Sequence, residues 1–198
     1  VKYLLTSPEL TEHADIHASN DDVFDGFDGF IWACENGHLE VVKYLLTSAE
    51  LTEHADIHAK DDEGFRNACR YGHLEIVKYL LTSDELTEHA DIHAENDWGF
   101  VWACAKGHLE VVEYLLTSAE LKEHAAIHAC DNDAFICACL DGHLEIVKYL
   151  LTSAELTEHA DIHAQDDLGF SWACRYGHLD IVKYLLTSHE LKKHADIH

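Results

Sequence analysis

Basic residues are scarce in this chain: Lys and Arg total 13 against 38 Asp and Glu, for a formal net charge of −25. Nucleic acid and anionic lipid both call for a concentrated basic surface, and no basic cluster is present. Both are therefore excluded as partners, whereas a protein with a basic face is favoured. Long apolar runs are also missing. Nothing approaches the roughly 18 uninterrupted apolar residues of a membrane span, and no signal-peptide pattern opens the chain. A reducing, cytoplasmic setting is expected. Proline occurs once, at Pro8 after Ser7, where it suits the first turn of a helix. Hydrophobic residues make up 47% of the 198, ample for a core, and nothing in the composition points to disorder.

What is present is repetition. Gly-His-Leu recurs at Gly37, Gly72, Gly107, Gly142 and Gly177, always 35 residues apart. His-Ala-x-Ile-His starts at His13, His54, His89, His124, His159 and His194, with a first step of 41 residues and four of 35. Six extra residues therefore lie within Asp21 to Gly29. The expected organisation is one repeat domain over 1–198: a partial unit at 1–18, then repeats at 19–59, 60–94, 95–129, 130–164 and 165–198.

One unit can be followed from Asp61. Asp61 and Asp62 are N-cap candidates. Phe65, Ala68 and Cys69 follow at helical spacing, and Gly72 can end the helix in the left-handed conformation. A second helix from about His73 turns Leu74, Val77, Leu80 and Leu81 inward and Glu75 and Lys78 outward. Thr82-Ser-Asp-Glu85 has the form of a capping box, which predicts a third, very short helix to about His89. Residues 90–94 form an extended connection. Neither main helix is stable alone, so like units must stack to bury their apolar stripes.

The stretch Gly72 to Leu81 (Gly-His-Leu-Glu-Ile-Val-Lys-Tyr-Leu-Leu) resembles the second helix of an ankyrin repeat. His89 to Gly99 resembles the finger between ankyrin repeats, and Ala103-Cys104 sits where that family places small residues in its first helix. The resemblance spans the whole chain. It implies an all-α, right-handed helical-repeat solenoid of about five stacked units, with short extended or hairpin-like fingers. It also implies that fingers and first helices line a concave face where partner proteins bind. Two departures stand out. The family's T-P-L-H-x-A opening is missing, since Gly64-Phe65 runs directly into Arg66-Asn67-Ala68-Cys69, and Thr82 to Glu88 is longer than usual. Against the family's 33 residues, about three are lost and five gained. A shortened first helix and an added helical turn are expected.

Comparison of the copies separates a frame from a variable patch. The second helix is nearly constant: Val41, Ile76, Val111, Ile146 and Ile181 share one register, and Glu113 is a lone exchange for Lys. Between finger and Gly-His-Leu, by contrast, one register reads Glu63, Trp98, Asp133, Leu168. Others read Ile31, Arg66, Val101, Ile136, Ser171 and Trp32, Asn67, Trp102, Cys137, Trp172. Beyond the fixed Ala-Cys come Glu35, Arg70, Ala105, Leu140, Arg175 and then Asn36, Tyr71, Lys106, Asp141, Tyr176. A core does not absorb an exchange of Trp for Asn cheaply, so these registers are expected on the surface. Their Trp, Tyr and Arg are the residues interfaces enrich. The expected anchors are Trp98, Trp102, Trp172, Tyr71 and Tyr176, with Arg66, Arg70 and Arg175 as polar contacts. Ile31, Trp32, Glu35, Glu63, Asn67, Val101, Lys106, Asp133, Leu140 and Leu168 complete the patch. In the insertion, Phe30 takes the frame position of Phe65, which leaves Phe24 and Phe27 for a protruding contact loop. A monomer is expected, with end-to-end association as the alternative.

Catalysis and metal binding fit poorly. The six strings hold twelve of the 18 histidines, and pairs such as His54/His58 and His89/His93 have metal-ligand spacing. Their regular recurrence suits frame residues bonded to the connecting backbone, so no metal and no cofactor is expected. Asp21 to Asp28 matches a calcium loop badly, with Val23 at a ligand position and no Glu where one is needed. Cys34, Cys69, Cys104, Cys139 and Cys174 repeat with the frame and read as buried free thiols, since stacked helices are too far apart for disulfides. Only Cys130 and Cys137 are expected to be exposed. No copy holds the single asymmetric constellation an active site requires, so no enzyme is expected.

Overall fold

The computed structural model describes residues 28–191 and 193–195. Pro8, Phe24, Phe27 and the expected contact loop lie outside them. The described residues form ten helices and no strand. The chain divides into two compact units, Val1–Asp91 and Ile92–His198. The all-α repeat fold is thus present, but its fingers are irregular links, not β-hairpins.

In the first unit, α1 (Gly29–Glu35) and α2 (Leu39–Thr47) form one helix pair, and α3 (Ala59–Arg70) and α4 (Leu74–Thr82) the next. The Asp28 carboxylate caps α1, accepting the Phe30 N–H at 2.8 Å. Glycines 37 and 72 end the first helices at φ +74° and +75°, where an L side chain would be strained. First helices pack on each other and on their own second helices. The core is the predicted stripe: Phe30, Ala68 and Cys69 are 0% exposed and Phe65 1%. In α4 the inward set includes Ile76 and Tyr79 beside Val77 and Leu80, while Leu74 and Leu81 are half-buried. The stack is close: a Cβ on Gly64 would lie 2.7 Å from Phe30 Cε1. The His73 ring lies over Gly37 and donates from Nε2 to the Glu35 carbonyl at 2.8 Å, latching one helix pair to the next.

The opening of α3 departs from expectation. Lys60, Asp61 and Asp62 have φ of 53°, 54° and 57°, a full left-handed turn before the right-handed helix resumes at Glu63. Left-handed backbone costs an L-residue roughly 1–2 kcal/mol, least for Asn and Asp. Asp62 is therefore not spent on capping its own helix. Its buried carboxylate accepts from His58 Nδ1 at 3.1 Å and from the Asp91 N–H of the following finger at 3.0 Å. That staple holds the turn and ties successive copies together where the T-P-L-H motif is missing.

The expected third helix is also absent. Thr82 Oγ1 donates back to the Lys78 carbonyl at 2.8 Å, so it is unavailable as a cap. Ser83 instead organises a turn, with its carbonyl accepting from the Leu86 N–H at 3.1 Å and from His89 Nε2 at 3.1 Å. The Ala90 N–H then returns to the Leu80 carbonyl at 3.0 Å, fixing the finger on its second helix.

The second unit repeats this plan three times: α5 (Ala94–Lys106) with α6 (Leu109–Thr117), α7 (Ala129–Asp141) with α8 (Leu144–Thr152), and α9 (Ala164–Tyr176) with α10 (Leu179–Thr187). Each first helix opens with the left-handed turn, at Glu95–Asp97, Cys130–Asn132 and Gln165–Asp167. The staple recurs, with Asp97 Oδ1 taking His93 Nδ1 at 3.0 Å and the Ala126 N–H at 3.0 Å. Asn132 Oδ1 does the same for His128 Nδ1 at 2.9 Å and the Asp161 N–H at 3.0 Å. His143 and His178 latch onto the carbonyls of Ala105 and Leu140. Among the described residues no helix is long and apolar enough to cross a membrane.

Candidate functional site

The variable registers occupy the first helices, and the structure divides them by helical phase. Ile31 stands three residues before Cys34 and therefore shares its inward face. Ile31, Val101 and Ile136 are 3%, 0% and 4% exposed and belong to the core, not to the surface patch expected of them. Arg66, in the same register, escapes burial because its long side chain turns back: Nε donates to the Asp61 carbonyl at 2.9 Å and Nη2 to that of Lys60 at 2.8 Å. Asn67 is also buried, at 8%. Its short amide stops below the surface that Trp32, in the same register, passes through.

In the first unit the outward set is Trp32, Glu35, Glu63, Arg66, Arg70 and Tyr71. Trp32 and Tyr71 are 48% and 43% exposed, large apolar areas open to solvent. The Arg70 guanidinium lies 5.5 Å from the Tyr71 ring centroid, a cation–π distance.

In the second unit the outward set forms two aromatic groups. Trp98 and Trp102, one turn apart, meet edge to face at 6.1 Å. Trp172 and Tyr176 are 5.8 Å apart, and the Arg175 guanidinium sits 4.9 Å from the Trp172 centroid and 5.9 Å from that of Tyr176. Tyr176 and Arg175 are exposed and Trp172 half-buried. Lys106 pairs with Asp141 at 3.2 Å along one register, and Asp133 accepts from Gln165 Nε2 at 3.1 Å. Leu140 and Leu168 are half-buried between these groups in the sequence. All four tryptophans and all three arginines of the chain fall in variable registers.

Chemically reactive groups are muted. Burial, then Asp133 and Asp141, pushes the Cys137 thiol up to about 11, and burial with Asp133 raises that of Cys130. Cys34, Cys69, Cys104 and Cys139 are buried free thiols whose values burial drives far up. Cys174 departs from the expected burial: it is exposed. The first histidine of each pair bonds backbone, as His54 Nε2 does with the Ser48 carbonyl at 3.1 Å. The second bonds the staple residue instead. Among the described residues no group of three or more His, Cys, Asp and Glu is placed to hold a metal ion.

The staple was missed in the sequence, although its signal is there: Asp62, Asp97, Asn132 and Asp167 each follow the second histidine by four residues. The model of the family described as "Ankyrin repeats (3 copies)" matches the chain over residues 1–96, 65–166 and 100–197. No curated protein matches it.

Proposed function

Since the chain belongs to the ankyrin repeat family, whose repeats generally mediate protein–protein contact, we propose that it is a protein-binding scaffold whose contact face is the outward set of its first helices. The observation that carries this is the pairing of a constant frame with exposed or half-exposed aromatics and arginines at the positions that vary. Idle surface has no need of Trp32 at 48% exposure or Tyr176 at 56%. The face comprises Trp32, Glu35, Glu63, Arg66, Arg70 and Tyr71 in the first unit. In the second it comprises Trp98, Trp102, Lys106, Asp133, Leu140, Leu168, Trp172, Arg175 and Tyr176. Phe24 and Phe27 belong to it as a loop clasp. The work of this face is recognition, with no catalytic step.

The test begins with capture from a lysate by the chain and by a variant carrying Trp98→Ala, Trp102→Ala and Trp172→Ala, with circular dichroism as the fold control. The captured protein is then titrated against single variants. Each true anchor should cost about 2 kcal/mol or more of binding. Losses below roughly 0.5 kcal/mol at Tyr71, Trp98, Trp102, Trp172 and Tyr176 alike would overturn the assignment. A second reading, self-association, is favoured by the apolar surface of the last copy, where Leu179 is 60% exposed. Sedimentation separates the two, since self-association makes the mass grow with concentration.

A further inference from the structure

The outward registers of the second unit leave a trough along its middle first helix. α7 packs between α5 and α9. Trp98 and Trp102 follow one another along α5, and Trp172 and Tyr176 do the same along α9, so each flanking helix carries an aromatic ridge. One copy on from Trp98 and Trp102 stand Asp133 and Cys137 of α7; one copy back from Trp172 and Tyr176 stand Cys137 and Asp141. Where both neighbours carry rings, α7 therefore carries short side chains, with half-buried Leu140 beside them.

The floor of this trough is apolar in the middle and acidic at both ends. Asp133 accepts from an amide, Gln165 Nε2, at 3.1 Å, which leaves its charge in place, and Asp141 meets Lys106 at 3.2 Å. Both carboxylates act on the Cys137 thiol between them, which places the three on one stripe. Lys106 offsets only one of the two charges, and a net charge of −25 adds long-range attraction for a basic partner. Width decides the form of that partner. Packed helices lie about 8–10 Å apart, so the helices that carry the ridges, with α7 between them, are about 16–20 Å apart. An α-helix with its side chains is about 10–12 Å across and reaches both ridges from the floor. An extended strand, which spaces its neighbours at about 4.8 Å, would touch one ridge at most.

We propose that the trough along α7 seats an amphipathic helix of the partner protein, with two arginines on its docking face and apolar side chains between them. This rests on the reading of the first helices as the contact face, and adds to it the form and charge of the partner. Asp133 and Asp141 are eight residues apart on α7, about 12 Å along a helix that rises 1.5 Å per residue. Arginines at i and i+7 stand about 10.5 Å apart on one helix face, and their length covers the difference. Each guanidinium pairs with a carboxylate while lying against the neighbouring aromatic ridge. Apolar side chains at i+3 and i+4 fall between them, on Cys137 and Leu140.

The experiment uses the full chain and two fluorescent eighteen-residue alanine-based peptides of one composition, matched in helicity by circular dichroism. The aligned peptide has arginine at positions six and thirteen and leucine at nine and ten. The displaced peptide moves the later arginine to position fifteen, on the opposite side of the helix. Anisotropy titrations at about 0.15 M salt, where exposed charges are screened within roughly 8 Å, should give the aligned peptide at least tenfold tighter binding. Cys137→Trp fills the trough with the ring that Trp102 and Trp172 carry in the same register, and should weaken the aligned peptide at least tenfold. Aromatic surface alone as the source of binding gives the opposite result, affinity unchanged or raised, so the trough and the broader contact face fail separately. Asp133→Asn keeps the oxygen that Gln165 meets and serves as a second variant should the tryptophan not fold. It should weaken the aligned peptide at least fivefold and the displaced one less than twofold. Proline at position eight of the aligned peptide breaks its helix and should abolish binding; retained binding would mean an extended occupant and overturn the proposal. Equal affinity for the two arginine placements, no binding of the aligned peptide, or indifference to Cys137→Trp and Asp133→Asn would each overturn it as well.

Discussion

Replacing Asp97 by glycine isolates the staple from the backbone strain that accompanies it. Asp97 sits at φ +64°, a conformation glycine adopts freely, so the substitution removes the carboxylate without adding strain. Alanine there would add roughly 1–2 kcal/mol of left-handed strain and confuse the result. Two hydrogen bonds are lost, from His93 Nδ1 and from the Ala126 N–H, each at 3.0 Å. A bond to a charged group contributes about 1.5–3 kcal/mol. The His93 contact deserves less, because that side chain is 39% exposed. The gain in unfolded-chain entropy with glycine roughly cancels the relief of strain. The expected loss is about 2–3 kcal/mol, read from urea unfolding followed by circular dichroism and tryptophan fluorescence. Asp97→Asn should cost less than about 1 kcal/mol, because Asn132 makes both bonds in the next copy with a neutral amide oxygen. Equal losses for glycine and asparagine would show that charge, not the bridging geometry, matters. A glycine loss under about 0.5 kcal/mol would show that the staple is ornamental and that the left-handed turn is held by packing.

Other consequences can be checked on the same protein. Burial raises the Asp62 carboxyl against the opposing pull of the Asp91 amide and His58. A raised folded-state value means that the folded chain holds this proton more tightly, so the contribution is present below the ordinary carboxylate range and is lost as pH rises through the folded value. Asp62→Asn should therefore improve relative to the parent between pH 3 and pH 7; a urea-midpoint advantage that grew on acidification instead would contradict the sign. Gly107→Ala must accept φ +82° and a Cβ 2.7 Å from the His143 ring, whereas Gly177→Ala meets strain alone, with nothing within 4 Å. Thermal melts should show a cost of about 2 kcal/mol or more for the first and about 1 kcal/mol for the second. In thiol labelling near pH 8, exposed Cys174 should react first, Cys137 slowly with its thiol near 11, and the four buried thiols only on unfolding.

Periodicity reached the parts of this fold that depend on one copy alone, and failed where two copies or two local options compete. Phe65, Ala68 and Cys69 were legible because helical spacing and apolar character agree, and Gly72 because the left-handed cap has a distinct residue preference. Thr82 was not, because its hydroxyl can cap a following helix or bond the preceding turn, and the returning chain at His89 and Ala90 decides between them. Nor was the left-handed turn at Lys60 to Asp62. Each residue there is locally unfavourable, and the turn persists because Asp62 bonds an amide 29 residues away. Variation among copies misled in one register for a related reason. It reports what a position tolerates, whereas helical phase reports what the position touches. Arg66 is tolerated beside Ile31 and Val101 because a flexible side chain can leave a buried site and bond carbonyls of its own turn. Phase alone would have placed that register inside, three residues ahead of the cysteine stripe. Applied together, the two criteria retain Trp98, Trp102, Trp172, Arg175 and Tyr176 and discard Ile31 and Val101. The proposed binding face is therefore narrower than the variable sequence, and its aromatic share correspondingly higher.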